Sequence, residues 1–319
     1  MNPEKTKIQK VLALLSVIFL FTFVGGILFS ISLNNRERTE VLRNKVIELK
    51  IEKENTEKLA KIQLVTLTPL ATSSKSFLTL AITENGTKKI LNSKNPDLVL
   101  PIASITKLMV AIVTLENINL DTNITATTDY IGQEESVFVL ETDKIYTAKE
   151  LLANALISSD NDSARLLSSI IGVNNFIDKM NLKAQELGLA NTHYVNITGL
   201  DPKDINDRLN VSTVSDLANL LVYIKNRHPE ILKITKQDKY DFCDINNFCK
   251  TVLSTNKLLG ENLKYNIIGG KTGTTDLAGK NLALMTELTN DVLLVNIVLG
   301  SENNFADTMS LINHIEIAN

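Results

Sequence analysis

The hydrophobic rhythm of the chain changes three times before residue 80. Residues 11–33 form a run of 23 without a charge, rich in Leu, Ile, Val and Phe. As a helix the run spans about 35 Å, enough for a hydrocarbon core of about 30 Å. It is apolar on every face, which a buried helix of a water-soluble domain rarely is. Lys5, Lys7 and Lys10 precede it, so residues 1–10 are expected on the cytoplasmic side and the rest of the chain beyond the membrane. A cleaved signal peptide is the alternative, but its apolar region runs to only about 7–15 residues. No Ala-x-Ala follows, only Ser30-Ile31-Ser32, and no nearby Cys could take a lipid. An uncleaved anchor is the expectation. From 36 to 61, 14 of 26 positions are charged, eight positive and six negative, with no Gly or Pro. Leu42, Val46 and Leu49 have helical spacing, but Lys53 and Thr56 continue that seam as polar residues. A solvated helical spacer about 40 Å long is expected, rather than a coiled coil. TLTPLATSSK (66–75) then reads as a flexible boundary, giving a spacer and linker over 34–75 and a body over 76–319.

Within the body the rhythm is strand-like at both ends and helical between. Residues 77–83 and 89–91 flank Asn85-Gly86 and predict a β-hairpin. Leu108, Ile112 and Leu115 form a helical stripe, and Thr147-Ala148-Lys149-Glu150 is a capping box opening a helix through Leu156. Further helices are expected over 162–171, 175–187 and 214–227. Strands are expected over 266–274, 280–288 and 292–299, followed by a closing helix over 304–315. The fold class is therefore α+β: an antiparallel sheet flanked by helices plus a helical cluster, preceded by one N-terminal transmembrane helix.

Composition narrows the function. The formal net charge is −3, and residues 1–64 carry eleven basic and seven acidic side chains, so the remainder stands at −7. An acidic body without Trp offers neither the basic footprint nor the stacking platform of a nucleic-acid binder. Two Cys and three His do not assemble a four-ligand zinc set, and no metal or cofactor is expected.

Three short motifs carry chemistry. Ser104-Ile105-Thr106-Lys107 places a hydroxyl and an amine three apart on one helix face, where a base could activate the hydroxyl; alone it reads as a surface turn. Ser159-Asp160-Asn161 breaks the helical pattern and exposes three polar groups; alone it is a loop and N-cap. Lys271-Thr272-Gly273-Thr274 lies in a strand and suits an extended peptide bearing a carboxylate; alone it is an edge strand guarded by a lysine.

In this order, with spacings of 55 and 112 residues, the three match the signature of serine β-lactamases and penicillin-binding proteins. The sequence resembles the low-molecular-weight penicillin-binding proteins, specifically the D-alanyl-D-alanine carboxypeptidases, from about Ser76 to the C-terminus. Met180 to Leu189, Asn191-Thr192-His193-Tyr194 and Asn196-Ile197-Thr198-Gly199-Leu200-Asp201 add to the likeness, with Ile197 where the family usually has Pro. The resemblance implies a serine hydrolase that removes the terminal D-alanine of peptidoglycan stem peptides through an acyl-enzyme and is covalently inhibited by β-lactams. Ser104 would be the nucleophile, Lys107 its base and Ser159 a proton relay. Asn161 would hold Lys107 and the substrate amide, and Lys271 and Thr272 would bind the terminal carboxylate. Gly273 would leave room for the peptide, and the N–H groups of Ser104 and Thr274 would form the oxyanion hole. A neutral Lys107 is required, and a Lys271 cation about 6 Å away would lower its pKa by roughly two units.

Four alternatives stay open at this point. A class A β-lactamase would need a Glu-x-x-Leu-Asn loop, and Glu186 has one residue too many before Asn191. An endopeptidase cutting D-alanyl cross-links would use the same apparatus. An inactive wall-binding scaffold would be expected to lose a motif residue, and none is lost. A Ser-His-Asp mechanism would need His193, His228 or His314, none of which has a partner motif. Cys243 and Cys249 enclose five residues between strand-like runs and fit a disulfide outside the cytoplasm, with two free thiols as the other reading. Many family members carry a C-terminal amphipathic anchor, and the N-terminal run would take its place here.

Overall fold

The computed structural model describes residues 21–22, 37–64, 70–132, 140–204, 207–261, 263, 265–289 and 291–317. The expected membrane span, Phe21 and Thr22 apart, lies outside these residues, as does 1–10. No helix among the described residues is long and apolar enough to cross a membrane. The chain divides into two compact units, residues 1–57 and 58–319. The charged stretch, which has no Gly or Pro to break it, is helical, and α1 runs over 37–60. Lys45 and Glu48 pair at 3.0 Å along it, and Leu42, Val46 and Leu49 are exposed.

The second unit begins with β1 (Ile62–Leu64), followed by the expected hairpin of β2 (Ser76–Thr83) and β3 (Lys88–Lys94). A short β4 (Leu100–Pro101) leads into a 3-10 turn, Ala103–Thr106, and then α2 (Lys107–Asn117). The pair β5 (Asn123–Thr125) and β6 (Ile145–Thr147) precedes α3 (Ala148–Ile157). Thr147 caps α3, its hydroxyl accepting from the Glu150 N–H at 3.2 Å. Next come α4 (Asn161–Ser169), α5 (Val173–Glu186), β7 (Val211–Ser212), α6 (Val214–Arg227) and α7 (Pro229–Thr235). A hairpin, β8 (Lys239–Cys243) and β9 (Cys249–Leu253), precedes a second 3-10 turn, Lys257–Gly260. The chain closes with β10 (Asn266–Thr275), β11 (Gly279–Thr289), β12 (Val292–Ser301), α8 (Asn304–Asn313) and β13 (Ile315–Ile317).

Five strands form one antiparallel sheet in the order β10-β11-β12-β2-β3, so the N-terminal hairpin completes the C-terminal meander and β10 lies at an edge. The period of two along a strand divides its side chains between the faces. Ala283, Met285, Val295, Ile297 and Leu299 join the helical cluster on one side. Leu282, Leu284 and Val298 meet Leu311 and Ile312 of α8 on the other. With both faces covered, β2 is buried at every position, which is why it reads as a run rather than an alternation. At the centre of the helical cluster lies α2, where Leu108 to Val113 are at most 1% exposed. Burying each Leu, Ile or Met side chain there contributes about 1.5–3 kcal/mol, which fixes the first residue of the helix, Lys107, in place.

Three features differ from the sequence expectation. The compact unit starts at Lys58, not 76, because β1 pairs with β13 and Leu59 and Ile62 pack on Ile315. A helix absent from the expected set, α7, opens at Pro229 directly after α6, since Pro suits the first helical position. The closing helix stops at Asn313 so that β13 can pair.

Candidate active site

Ser104 sits in the 3-10 turn just before α2, and the turn is shaped by two unusual backbone positions. Ala103 has φ +48°, a left-handed conformation costly for a residue with a side chain. Gly199, at φ +84°, packs so tightly against it that an added Cβ would lie 2.0 Å from the Ala103 carbonyl oxygen. On the other side Gly273 of β10 lets the strand approach, since a Cβ there would lie 2.6 Å from the Ile102 oxygen and 3.1 Å from the Ser104 nitrogen. The nucleophile's turn is thus held between β10 and the 196–201 loop.

Lys107, fully buried, directs Nζ to three neutral oxygens: Ser104 Oγ at 2.9 Å, Asn161 Oδ1 at 2.7 Å and the Thr198 carbonyl at 3.0 Å. Asn161 is delivered by the second motif. Asp160 caps α4, its carboxylate accepting from the Ser163 N–H at 2.7 Å, and Asn161 is the first residue of that helix. The turn is braced from below, where Asn154 donates to Ser163 Oγ at 2.9 Å and Ser158 donates to Asn154 Oδ1 at 2.7 Å. Ser159 is held at φ +64° in this turn, and Lys271 Nζ donates to its Oγ at 2.8 Å and to the Thr272 carbonyl at 3.1 Å. Lys271 is 1% exposed. Burial first, and the neighbouring Lys107 cation second, push its ammonium well below the ordinary lysine range. The repulsion between the two lysines expected from the sequence thus acts on Lys271 as well, where burial is the larger cause.

Ser104, Ser159, Asn161, Thr272, Gly273 and Thr274 all line one cleft of about 980 Å³, and Lys107 and Lys271 close its floor through Ser104 and Ser159. Every residue singled out by the three motifs is therefore brought together. The cleft also holds groups the sequence reading passed over. Thr255 Oγ1 lies 2.5 Å from Thr272 Oγ1, and its backbone N–H donates to Ile157 O at 3.1 Å, bridging the end of α3 to β10. Leu200 forms a wall, and Asp201 ties its loop to the β10–β11 turn by accepting from Thr275 Oγ1 at 2.7 Å and Leu277 N–H at 2.9 Å. A small polar triplet, Ser254-Thr255-Asn256, was the only signal for Thr255; the Thr198 carbonyl gave none.

The other candidates lie elsewhere. Glu186 ends α5 and pairs with Lys183 at 2.5 Å, and it is not among the described residues lining the cleft. None of the histidines lines it either. His193 pairs through its backbone with Val211, His228 contacts Glu116 at 3.2 Å, and His314 Nδ1 lies 2.7 Å from the Ser310 carbonyl. Cys243 and Cys249 form a disulfide across the β8–β9 hairpin.

Comparison with known proteins agrees with this geometry. The sequence model of a family described as D-alanyl-D-alanine carboxypeptidase matches residues 63–303. The chain is 35% identical over 242 residues to a D-alanyl-D-alanine endopeptidase of Pseudomonas aeruginosa, covering 74% of this chain and 76% of that one. It is 30% identical over 229 residues to D-alanyl-D-alanine carboxypeptidase DacC of Escherichia coli, covering 68% and 54%. The fold is similar to that of penicillin-binding protein D2 from Listeria monocytogenes in its ampicillin-bound form. That likeness has a TM-score of 0.67 at 28% identity and covers 77% of this chain and 98% of the other.

Proposed function

The chain belongs to the D-alanyl-D-alanine carboxypeptidase family, and from that premise we propose that it is a serine-type carboxypeptidase releasing the terminal D-alanine from peptidoglycan stem peptides. One observation carries the reading: Ser104 Oγ lies 2.9 Å from Lys107 Nζ in the same cleft where Lys271 Nζ lies 2.8 Å from Ser159 Oγ. Nucleophile–base contact at hydrogen-bond distance is what a serine needs to attack. Two buried amines in one pocket cannot both keep their charge cheaply, so the pair retains one proton and one lone pair. In the free protein burial and Lys107 disfavour a proton on Lys271; the arriving carboxylate draws the shared proton onto that amine, and Lys107 then accepts the Ser104 proton as Oγ adds to the carbonyl between the two D-alanines. The N–H groups of Ser104 and Thr274 stabilise the oxyanion. The C–N bond then breaks, and the leaving amine takes a proton through Ser159. Water hydrolyses the acyl-enzyme with Lys107 again as base. Thr272, with Lys271, receives the terminal carboxylate, and Asn161 the substrate amide.

By the same route a β-lactam would acylate Ser104 and stay there. The ampicillin-bound relative supports that part of the reading. The apolar run at 11–33 and the lysines before it support an anchor in the cytoplasmic membrane, with the catalytic unit on the outer side. A second reading, D-alanyl-D-alanine endopeptidase, is favoured by the 35% identity to the Pseudomonas enzyme. The test is to incubate the protein with an acyl-D-Ala-D-Ala peptide and with a cross-linked muropeptide dimer. Free D-alanine from the first supports the carboxypeptidase, cleavage of the dimer alone the endopeptidase, and neither product contradicts both.

A further inference from the structure

Two cations in the cleft have no part in the chemistry above. Lys257, in the second 3-10 turn, and Lys280, in β11, both line it. Unlike Lys107 and Lys271 they are exposed, and neither makes an ion pair among the described residues. No acidic side chain is among the described residues that line the cleft. The chain beyond residue 64 is nevertheless at −7, so the cleft locally inverts the sign of its own protein. Their placement follows the reactive strand. Lys280 is the cross-strand neighbour of Thr274, and Lys257 lies two residues after Thr255, whose hydroxyl touches Thr272. A lysine that merely protects a sheet edge would belong on β10. Lys280 is on β11, which is paired on both sides.

We propose that the cleft selects substrates bearing a second carboxylate, in addition to the one at the scissile end, and that Lys257 and Lys280 hold it. This rests on the serine peptidase reading and names its substrate class: an acidic peptide rather than its amidated counterpart. Exposed pairs of this kind are each worth little, so a preference of about three- to tenfold in kcat/KM is expected. A cleft lined by one sign of charge also raises the encounter rate with an anionic peptide, an effect that salt screens.

The second carboxylate can sit on either side of the scissile bond, and two matched peptide pairs separate the cases. One pair is acyl-Glu-D-Ala-D-Ala against acyl-Gln-D-Ala-D-Ala. The other ends in D-Asp against D-Asn as the leaving residue. A preference for the acid in at least one pair, lost in the Lys257→Gln/Lys280→Gln double variant and suppressed at about 0.5 M salt, is the expected result. Equal rates within twofold in both pairs, or a preference unchanged in the double variant, would overturn the proposal. Labelling of the wild-type protein by fluorescent penicillin is measured alongside. Labelling without discrimination removes only the second-carboxylate site, whereas absence of labelling removes the serine peptidase reading and this inference with it.

Discussion

Substituting Gly199 by Ala tests how the catalytic turn is held. The added Cβ would lie 2.0 Å from the Ala103 carbonyl oxygen, 2.4 Å from its carbon and 2.8 Å from Thr106 Oγ1, whereas ordinary contact begins at 3.4 Å. The first two atoms are backbone, so the 196–201 loop and the Ser104 turn must separate by about an ångström. Thr198, next in sequence, gives its carbonyl to Lys107 at 3.0 Å, and that displacement stretches the bond beyond the useful range of about 3.2 Å. Losing a hydrogen bond to a charged or polarised amine costs about 1.5–3 kcal/mol, and misplacing reactive groups by about 1 Å costs about a hundredfold in rate. Gly199→Ala should therefore lower the second-order rate of acylation by fluorescent penicillin by about a hundredfold. Gly86→Ala is the control, because Gly86 has φ +85° with nothing within 4 Å of the added methyl. It carries the same backbone strain, about 1–2 kcal/mol, but lies in the β2–β3 turn and should destabilise without slowing acylation. The assay is stopped-time labelling resolved by gel, with circular dichroism to confirm folding. A folded Gly199→Ala protein acylating within threefold of wild type would refute the argument.

Other outcomes follow from the same contacts. Burial and the Lys107 cation make the folded chain hold a proton on Lys271 less readily than the unfolded chain, which binds one as pH falls below about 10.4. Stability should thus rise with pH between 7 and 9, by up to about 1.4 kcal/mol per unit, and Lys271→Met should remove that part of the slope in urea unfolding; an unchanged slope contradicts it. Thr255→Val removes the hydroxyl 2.5 Å from Thr272 and should raise KM for an acyl-D-Ala-D-Ala peptide about tenfold while leaving kcat within about threefold, in steady-state D-alanine release. A large fall in kcat alone would place Thr255 in the chemical step instead. Replacing Cys243 and Cys249 together by Ser opens a loop with a sequence separation of 6 and should cost about 2 kcal/mol of stability, read from the denaturation midpoint, with penicillin labelling retained.

The catalytic groups were legible because each stands where a local rule operates. Ser104 and Lys107 share one turn, Asp160 is a capping residue that places Asn161, and Lys271 to Thr274 sit on a strand whose glycine marks a close approach. The central helices were legible for a similar reason, since α6 and α3 announce themselves by Thr caps and apolar spacing. Non-local features were not. The pairing of β1 with β13 joins the two ends of the unit, and nothing near Ile62 or Ile315 signals the other. The Thr198 carbonyl is a backbone group and carries no residue type to read. Thr255 reaches Thr272 only because the loop before the second 3-10 turn folds back onto β10. The lowered proton affinity of Lys271 depends mainly on burial, which spacing along the chain does not reveal.

The central claim is that Ser104 is the nucleophile, activated by the amine beside it. Its most direct test is mass spectrometry of the penicillin-treated protein after proteolysis. The account requires one adduct, on the peptide containing Ser104, absent in Ser104→Ala and formed far more slowly in Lys107→Ala. An adduct on Ser159 or elsewhere, or undiminished labelling without Lys107, would contradict it.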